Sequence, residues 1–137
     1  MKIFFFLVLF AFSAQAADIN IDNLYVRPAL DKKHPTTFYF DIKNNSNSID
    51  YLIGAEIINH PEVNITINKT VIEQNIARII YIDQLAIPAN SKIKLTPIGI
   101  YLICKNFPSE IKDLKMKLIF KKQVLTINFN QILTKPS

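Results

Sequence analysis

The chain has 137 residues, of which 50% are hydrophobic, and a formal net charge of +5. This length suits one domain with a single hydrophobic core. The cations are almost all Lys, whereas a nucleic-acid site more often shows clustered Arg with interleaved aromatic side chains. The composition therefore gives no sign of nucleic-acid binding, and we expect no such partner.

The N-terminal segment begins with a single cation, Lys2, and continues with an apolar, Phe-rich stretch that ends in Ala14-Gln15-Ala16. A charged start, an apolar middle of about 7–15 residues and an A-x-A end are typical of a secretory signal peptide. The stretch is too short to cross a bilayer, and no later one approaches the ~20 residues that a membrane-spanning helix needs. We expect residues 1–16 to be removed on export, leaving 17–137 as a mature domain in the periplasm or otherwise outside the cytoplasm.

The rest of the sequence consists of short extended segments separated by turns. Phe38, Phe40 and Ile42 alternate with polar residues, which is the period-2 pattern of a half-buried strand. Eight or nine such strands at about ten-residue spacing predict one all-β domain, an antiparallel sandwich or barrel. The predicted strands lie near 19–27, 37–43, 51–57, 63–68, 76–82, 92–95, 98–104, 114–120 and 124–129.

The turns between these strands contain little Gly, since the whole chain has two. The hairpins must therefore depend on Asn, Asp and Ser, which also favour turn conformations. The segment 85–90 leads into one such turn. One further segment, 108–113, could hold a helical turn with Ser109 as its cap.

Side chains capable of redox, metal or nucleophilic chemistry are scarce in the mature chain, which holds Cys104, Met116, His34 and His60. Nucleophilic catalysis needs a Ser or Cys with a His base and an orienting acid, and no such pattern surrounds Cys104. Structural zinc needs about four Cys or His ligands at short spacing, and calcium needs clustered carboxylates. We therefore expect no enzyme activity and no zinc or calcium site. A lone Cys in an apolar strand is expected to be buried, although an intermolecular disulfide stays open.

Several short segments follow one another in a distinctive order. They are Tyr-Val-Arg-Pro-Ala (25–29), Phe-Tyr-Phe-Asp-Ile-Lys-Asn (38–44), Tyr-Leu-Ile-Gly-Ala (51–55), Leu-Ala-Ile-Pro-Ala (85–89) and Leu-Thr-Pro-Ile-Gly-Ile-Tyr-Leu (95–102), with a closing strand pair. In this order the chain resembles the periplasmic copper chaperone PCu(A)C family from about Ile19 to Leu133. The resemblance implies a cupredoxin-like β-sandwich that holds Cu(I) through Met and His. It also implies delivery of copper to the CuA centre of cytochrome c oxidase or to related copper systems.

The family's copper signature is a His or Met, ten residues, a Met, twenty-one residues, then His-x-Met. On this chain those places fall on Asn68, Ile79, Tyr101 and Ile103, and none of them is a soft ligand of the kind that selects Cu(I). The span 61–115 holds no Met and no His, and Cys104 should face away from Tyr101 and Ile103 because neighbours on a strand alternate. The resemblance thus implies a copper chaperone frame without its copper site, and we expect no bound metal or other cofactor.

Ile79, Tyr101 and Ile103 would then form an apolar patch that either contacts another protein or packs beneath a loop. The first hypothesis is an exported protein of this family that has lost copper and acts through an envelope partner, for example an oxidase-assembly component. The second is a copper carrier with a relocated site or unconventional or intermolecular ligands, such as Cys104. The third is a structural or adhesive envelope β-sandwich, which a different strand order would reveal. The oligomeric state stays open.

Overall fold

The computed structural model describes residues 18–29, 34–107 and 114–129. Within these ranges the chain forms ten β-strands in two antiparallel sheets and no helix, so none that could cross a membrane. The all-β sandwich is confirmed. The expected signal peptide (1–16) and the helical turn at 108–113 lie outside the described residues. The strands are β1 (Ile19–Arg27), β2 (Thr36–Asn44), β3 (Asp50–Ile57), β4 (Asn64–Glu73), β5 (Ile76–Ile82), β6 (Leu85–Ile87), β7 (Ser91–Lys94), β8 (Ile100–Lys105), β9 (Lys115–Phe120) and β10 (Val124–Asn128).

The larger sheet has the order β1-β2-β8-β4-β5, and β7 also pairs with β2. The smaller sheet has the order β10-β9-β3-β6, and its first two strands form the expected closing hairpin. Two details differ from the sequence prediction. The segment expected only to lead into a turn contains β6, which pairs with β3, and β4 continues to Glu73, well beyond the predicted strand end. Pairing with β3 recruits the short segment that forms β6, and pairing with β5 extends β4 through the β-branched Thr70, Val71 and Ile72, which favour a strand.

The core lies between the two sheets. Phe38, Phe40 and Ile42 are at most 1% exposed, as the alternation on β2 predicts. The ring of Phe38 lies 5.2 Å from that of Phe129 and 6.0 Å from that of Phe107. Apolar side chains of both sheets join them in one cluster, which includes Leu52, Ile87, Leu102, Cys104, Met116 and Leu118.

Asn residues supply most of the left-handed backbone positions in the described part of the chain. Such a conformation is uncommon outside Gly, and Asn tolerates it better than most residues. The prediction that turns depend on Asn is confirmed. Gln74 and Asn75, with φ of 50° and 64°, form the two-residue loop between β4 and β5, as a type I′ hairpin turn requires. The other non-Gly residues with positive φ are Asn23, Asn59, Asn90 and Asn106.

Asn44 links the two sheets at the end of β2. Its side chain is 1% exposed, and its amide nitrogen donates to the carbonyls of Ser48 (2.9 Å) and Ile87 (3.0 Å). Its amide oxygen accepts from the backbone N–H (3.0 Å) and hydroxyl (2.7 Å) of Ser46. One buried amide thus orders the β2–β3 turn and joins the larger sheet to β6.

We expect Asn44→Ala to lower the free energy of unfolding by about 1–3 kcal/mol, because the buried carbonyl of Ile87 would lose its donor. Urea denaturation of the two proteins measures the difference. The neighbouring Asn45→Ala is the matched control, since the side chain of Asn45 is exposed. Equal stability of the Asn44→Ala variant and the control would contradict this role.

Candidate functional site

The four family ligand positions share the outer face of the larger sheet, which is the face turned away from the core. Asn68 on β4 lies opposite Tyr101 on β8, and Ile103 lies two residues further along β8. Ile79 on β5 lies opposite Thr70, which is two residues from Asn68. Paired residues and residues two apart on a strand point to the same side. The fold therefore brings all four positions to one face.

A cavity of about 260 Å³ opens on this face, hereafter the outer-face cavity. Tyr101 and Ile103 are 6% and 8% exposed and form its covered part, whereas Ile79 is 62% exposed at its rim. The cavity is lined by Arg27, Pro28, His34, Pro35, Thr37, Tyr39, Ile79, Pro97, Tyr101 and Ile103. The predicted contact patch therefore combines one exposed Ile with two covered side chains.

Tyrosine side chains form a row across three strands beside this cavity. The ring of Tyr101 lies 6.1 Å from that of Tyr39, which stacks on Tyr25 at 5.4 Å. The hydroxyl of Thr70 donates to that of Tyr101 at 3.2 Å. The Tyr101 side chain is thus fixed by contacts at both its ring and its hydroxyl.

The side chain of Asn68, the first family ligand position, forms hydrogen bonds with a residue of its own strand. Its side chain is 6% exposed, and its amide nitrogen donates to the carbonyl (3.0 Å) and hydroxyl (2.8 Å) of Thr66. The four positions together offer an amide, two aliphatic groups and a phenol. This donor set does not fit Cu(I), which selects thioether, thiolate and imidazole. His34 adds a single imidazole to the cavity wall.

Cys104 lies on the other side of β8, with Leu102, in the core. It is 0% exposed, and burial raises the pKa of its thiol to about 12. The predicted orientation away from Tyr101 and Ile103 is confirmed. A protonated thiol in the core is neither the thiolate that binds metals nor accessible to a second molecule.

The remaining soft or imidazole side chains are dispersed over the fold. Met116 lies in the core, and His60 lies in the β3–β4 connection, where its Nδ1 is 3.2 Å from a carboxylate oxygen of Glu62. His34 lines the outer-face cavity instead. Among the described residues, no three or more His, Cys, Asp or Glu form a group that could hold a metal ion.

No family model and no curated protein matches the sequence. Solved structures do match the arrangement of the strands. The copper-bound PCuAC domain from PmoF2 has a TM-score of 0.63 and 19% identity, over 81% of this chain and 89% of that one. The fold is that of a PCuAC domain.

Two further structures have the same PCuAC fold. The apo PCuAC domain from PmoF1 has a TM-score of 0.63 and 20% identity, over 81% of this chain and 90% of that one. The apo PmoF2 PCuAC domain has a TM-score of 0.63 and 18% identity, over 87% and 93%. The fold implied by the sequence resemblance is thereby confirmed.

Part of the cavity lining was not predicted from the sequence. Thr37 and Tyr39 alternate with the inward Phe38, so the period-2 pattern alone places them on the outer face. Arg27 and His34 could not have been found this way. They reach the cavity from the end of β1 and from the segment before β2, and no local pattern fixes that placement.

We expect the thiol of Cys104 to resist iodoacetamide in the folded protein at pH 8 and to react fully in urea, because only unfolding exposes and ionises it. Mass spectrometry of the carbamidomethylated chain measures this. Rapid modification of the folded protein would contradict the burial.

The raised pKa of Cys104 also gives a pH dependence of stability. Above its ordinary pKa of 9.0 the thiol ionises in the unfolded chain, while in the folded chain it stays protonated to about pH 12. The unfolded state then binds fewer protons, so stability falls as pH rises through this window and is unaffected below it. Cys104→Ala, compared by urea denaturation at pH 8 and pH 10.5, should lose less stability between the two pH values than wild type.

Proposed function

We propose that this chain is an exported protein of the PCuAC family that carries no copper and acts through protein contacts at the outer-face cavity. The observation that supports this most is the convergence of Asn68, Ile79, Tyr101 and Ile103 on one face without a soft ligand among them. The fold is shared with a copper-bound PCuAC domain, whereas the four positions that correspond to the family's ligands offer no thioether, thiolate or imidazole for Cu(I).

The surface that replaces the ligand set has the character of a small recognition site. Interfaces are enriched in Tyr and Arg and depleted in Lys and Glu at their centre. The cavity has Tyr39 and Tyr101 in its lining, Arg27 at one side and the exposed Ile79 at its rim. We propose an envelope protein as the partner, and the family resemblance points to a component of cytochrome oxidase copper-centre assembly.

We expect the purified protein to show no tight binding in an anaerobic Cu(I) titration against a chelator competitor. The matched variant restores the family signature by Asn68→Met, Ile79→Met, Tyr101→His and Ile103→Met, and should bind one Cu(I) tightly. Tight stoichiometric binding by the wild-type protein would refute the loss of copper. Absence of binding in the folded quadruple variant would refute the assignment of these positions.

The contact site is tested by exchanging an exposed apolar residue for a charge. Ile79→Asp should abolish retention of an envelope partner in a pull-down, because a charge at the rim opposes apolar contact. Ile98→Asp is the matched control, since Ile98 is 84% exposed and does not line the cavity. Retention of the same partner by both variants would refute the proposed site. Thermal melting of both variants checks that each is folded.

A further inference from the structure

Among the strands of the described residues, β5 forms one edge of the larger sheet, and it carries several exposed apolar side chains. Ile76, Ile79 and Tyr81 are 62–63% exposed, and Ile80 is 39% exposed. An edge strand presents unpaired backbone N–H and C=O groups, and proteins commonly protect such edges with Lys, Pro or a bulge. Within β5 none of these is present, and the single charge is that of Arg78.

The hydrogen bonds of the β4–β5 hairpin determine which backbone groups face outward. The N–H of Thr70 donates to the carbonyl of Gly99, on the side away from β5. Thr70 and the opposing Ile79 are therefore a non-hydrogen-bonded pair. The N–H and C=O of Ile79 must then point away from β4 toward the open edge. Because this direction alternates along the strand, those of Ala77 and Tyr81 point outward too.

The hairpin loop leads to the same assignment independently. In a two-residue hairpin the flanking residues, here Glu73 and Ile76, exchange hydrogen bonds with each other. The backbone groups of Ile76, and of every second residue after it, are therefore hydrogen-bonded to β4. Those of the residues between them, including Ile79, point outward. Two separate observations thus agree on the outward-facing groups.

We propose that a second copy of this chain pairs with this edge, in an antiparallel β5–β5 contact whose two-fold axis passes through Ile79. In that register Ile79 lies opposite Ile79 of the second copy, and Ala77 lies opposite Tyr81. Every outward-facing residue meets another outward-facing residue, which gives about six backbone hydrogen bonds. The two larger sheets become one continuous sheet with both outer faces on the same side.

The side chains of β5 favour its own copy as the occupant. The two-fold register places the small Ala77 opposite the large Tyr81 and sets two β-branched Ile79 side chains against each other. Arg78 lies opposite Ile80, so like charges are not opposed, and its guanidinium is already 3.4 Å from Glu73 of its own chain. A two-fold contact needs a self-complementary surface, and this strand provides one.

This contact does not depend on the proposed function. It uses the backbone edge of β5, whereas the partner site is the outer-face cavity beside it. Ile79 belongs to both surfaces, so the experiments below separate them through residues and measurements specific to strand pairing.

Cysteine cross-linking tests the register directly. In the Ile79→Cys variant the two introduced thiols would have Cα atoms about 5.5 Å apart, within the range of a disulfide. Ile80→Cys is the matched control, because its two copies would be separated by roughly 8 Å from strand rise and spacing. We expect a disulfide dimer on a non-reducing gel for Ile79→Cys and little for Ile80→Cys. Absence of the dimer in the first variant, or equal dimer in both, overturns the proposal.

Sedimentation velocity over a range of concentrations tests pairing in the unmodified chain. We expect the wild-type protein to be a dimer and Ala77→Pro to be a monomer. Proline removes an outward N–H that the hairpin does not use, so the fold should be retained. Ile98→Ser controls for general apolar association and should stay dimeric. A monomeric wild-type protein at every concentration, or an unaffected Ala77→Pro dimer, overturns the proposal. Ala77 does not line the cavity, so this variant should still retain the envelope partner.

Discussion

The alternation of side chains along β2 and β8 is the constraint on which the rest of the structure depends. Alternate residues on these adjoining strands, such as Phe38 and Leu102, are buried between the two sheets and join them in one core. The residues between them, such as Tyr39 and Tyr101, must then face the other way and build the outer-face cavity. A shift of one residue in register would exchange core and cavity, so packing energy holds the candidate site in place.

Much of the fold could be predicted from the sequence because its strongest signals are local. The alternation around Phe38 specifies a strand and its buried face, and the apolar run that ends at Cys104 indicates a second strand. The extension of β4 to Glu73 was not predicted, although Thr70, Val71 and Ile72 are β-branched and favour a strand; pairing with β5 and the Gln74–Asn75 turn fix it. The cavity was predictable where strand residues line it and unpredictable where Arg27 and His34 approach from outside the sheet pattern.

The resemblance in sequence and the similarity in fold are separate observations that support the same fold. Landmark order suggested the family, and the solved PCuAC domains share the fold at about one-fifth identity. The strand register adds the position of the four residues in space. Asn68, Ile79, Tyr101 and Ile103 are distant in sequence and lie on one face of the sheet. These converged positions, which lack soft ligands, support the proposed role in protein contacts on a PCuAC fold. Binding partners should therefore be tested at the outer face and at the adjoining β5 edge.

The complete burial of Cys104 has a consequence for how the chain reaches its native state. β-Sandwiches depend on contacts between distant segments and fold more slowly than proteins rich in local contacts. Until β8 is covered by the smaller sheet, the thiol is open to solvent and to disulfide exchange; afterwards it is not. In oxidising surroundings the folding rate therefore competes with oxidation. The fraction of chains without a mixed disulfide should therefore increase with the folding rate of the sandwich.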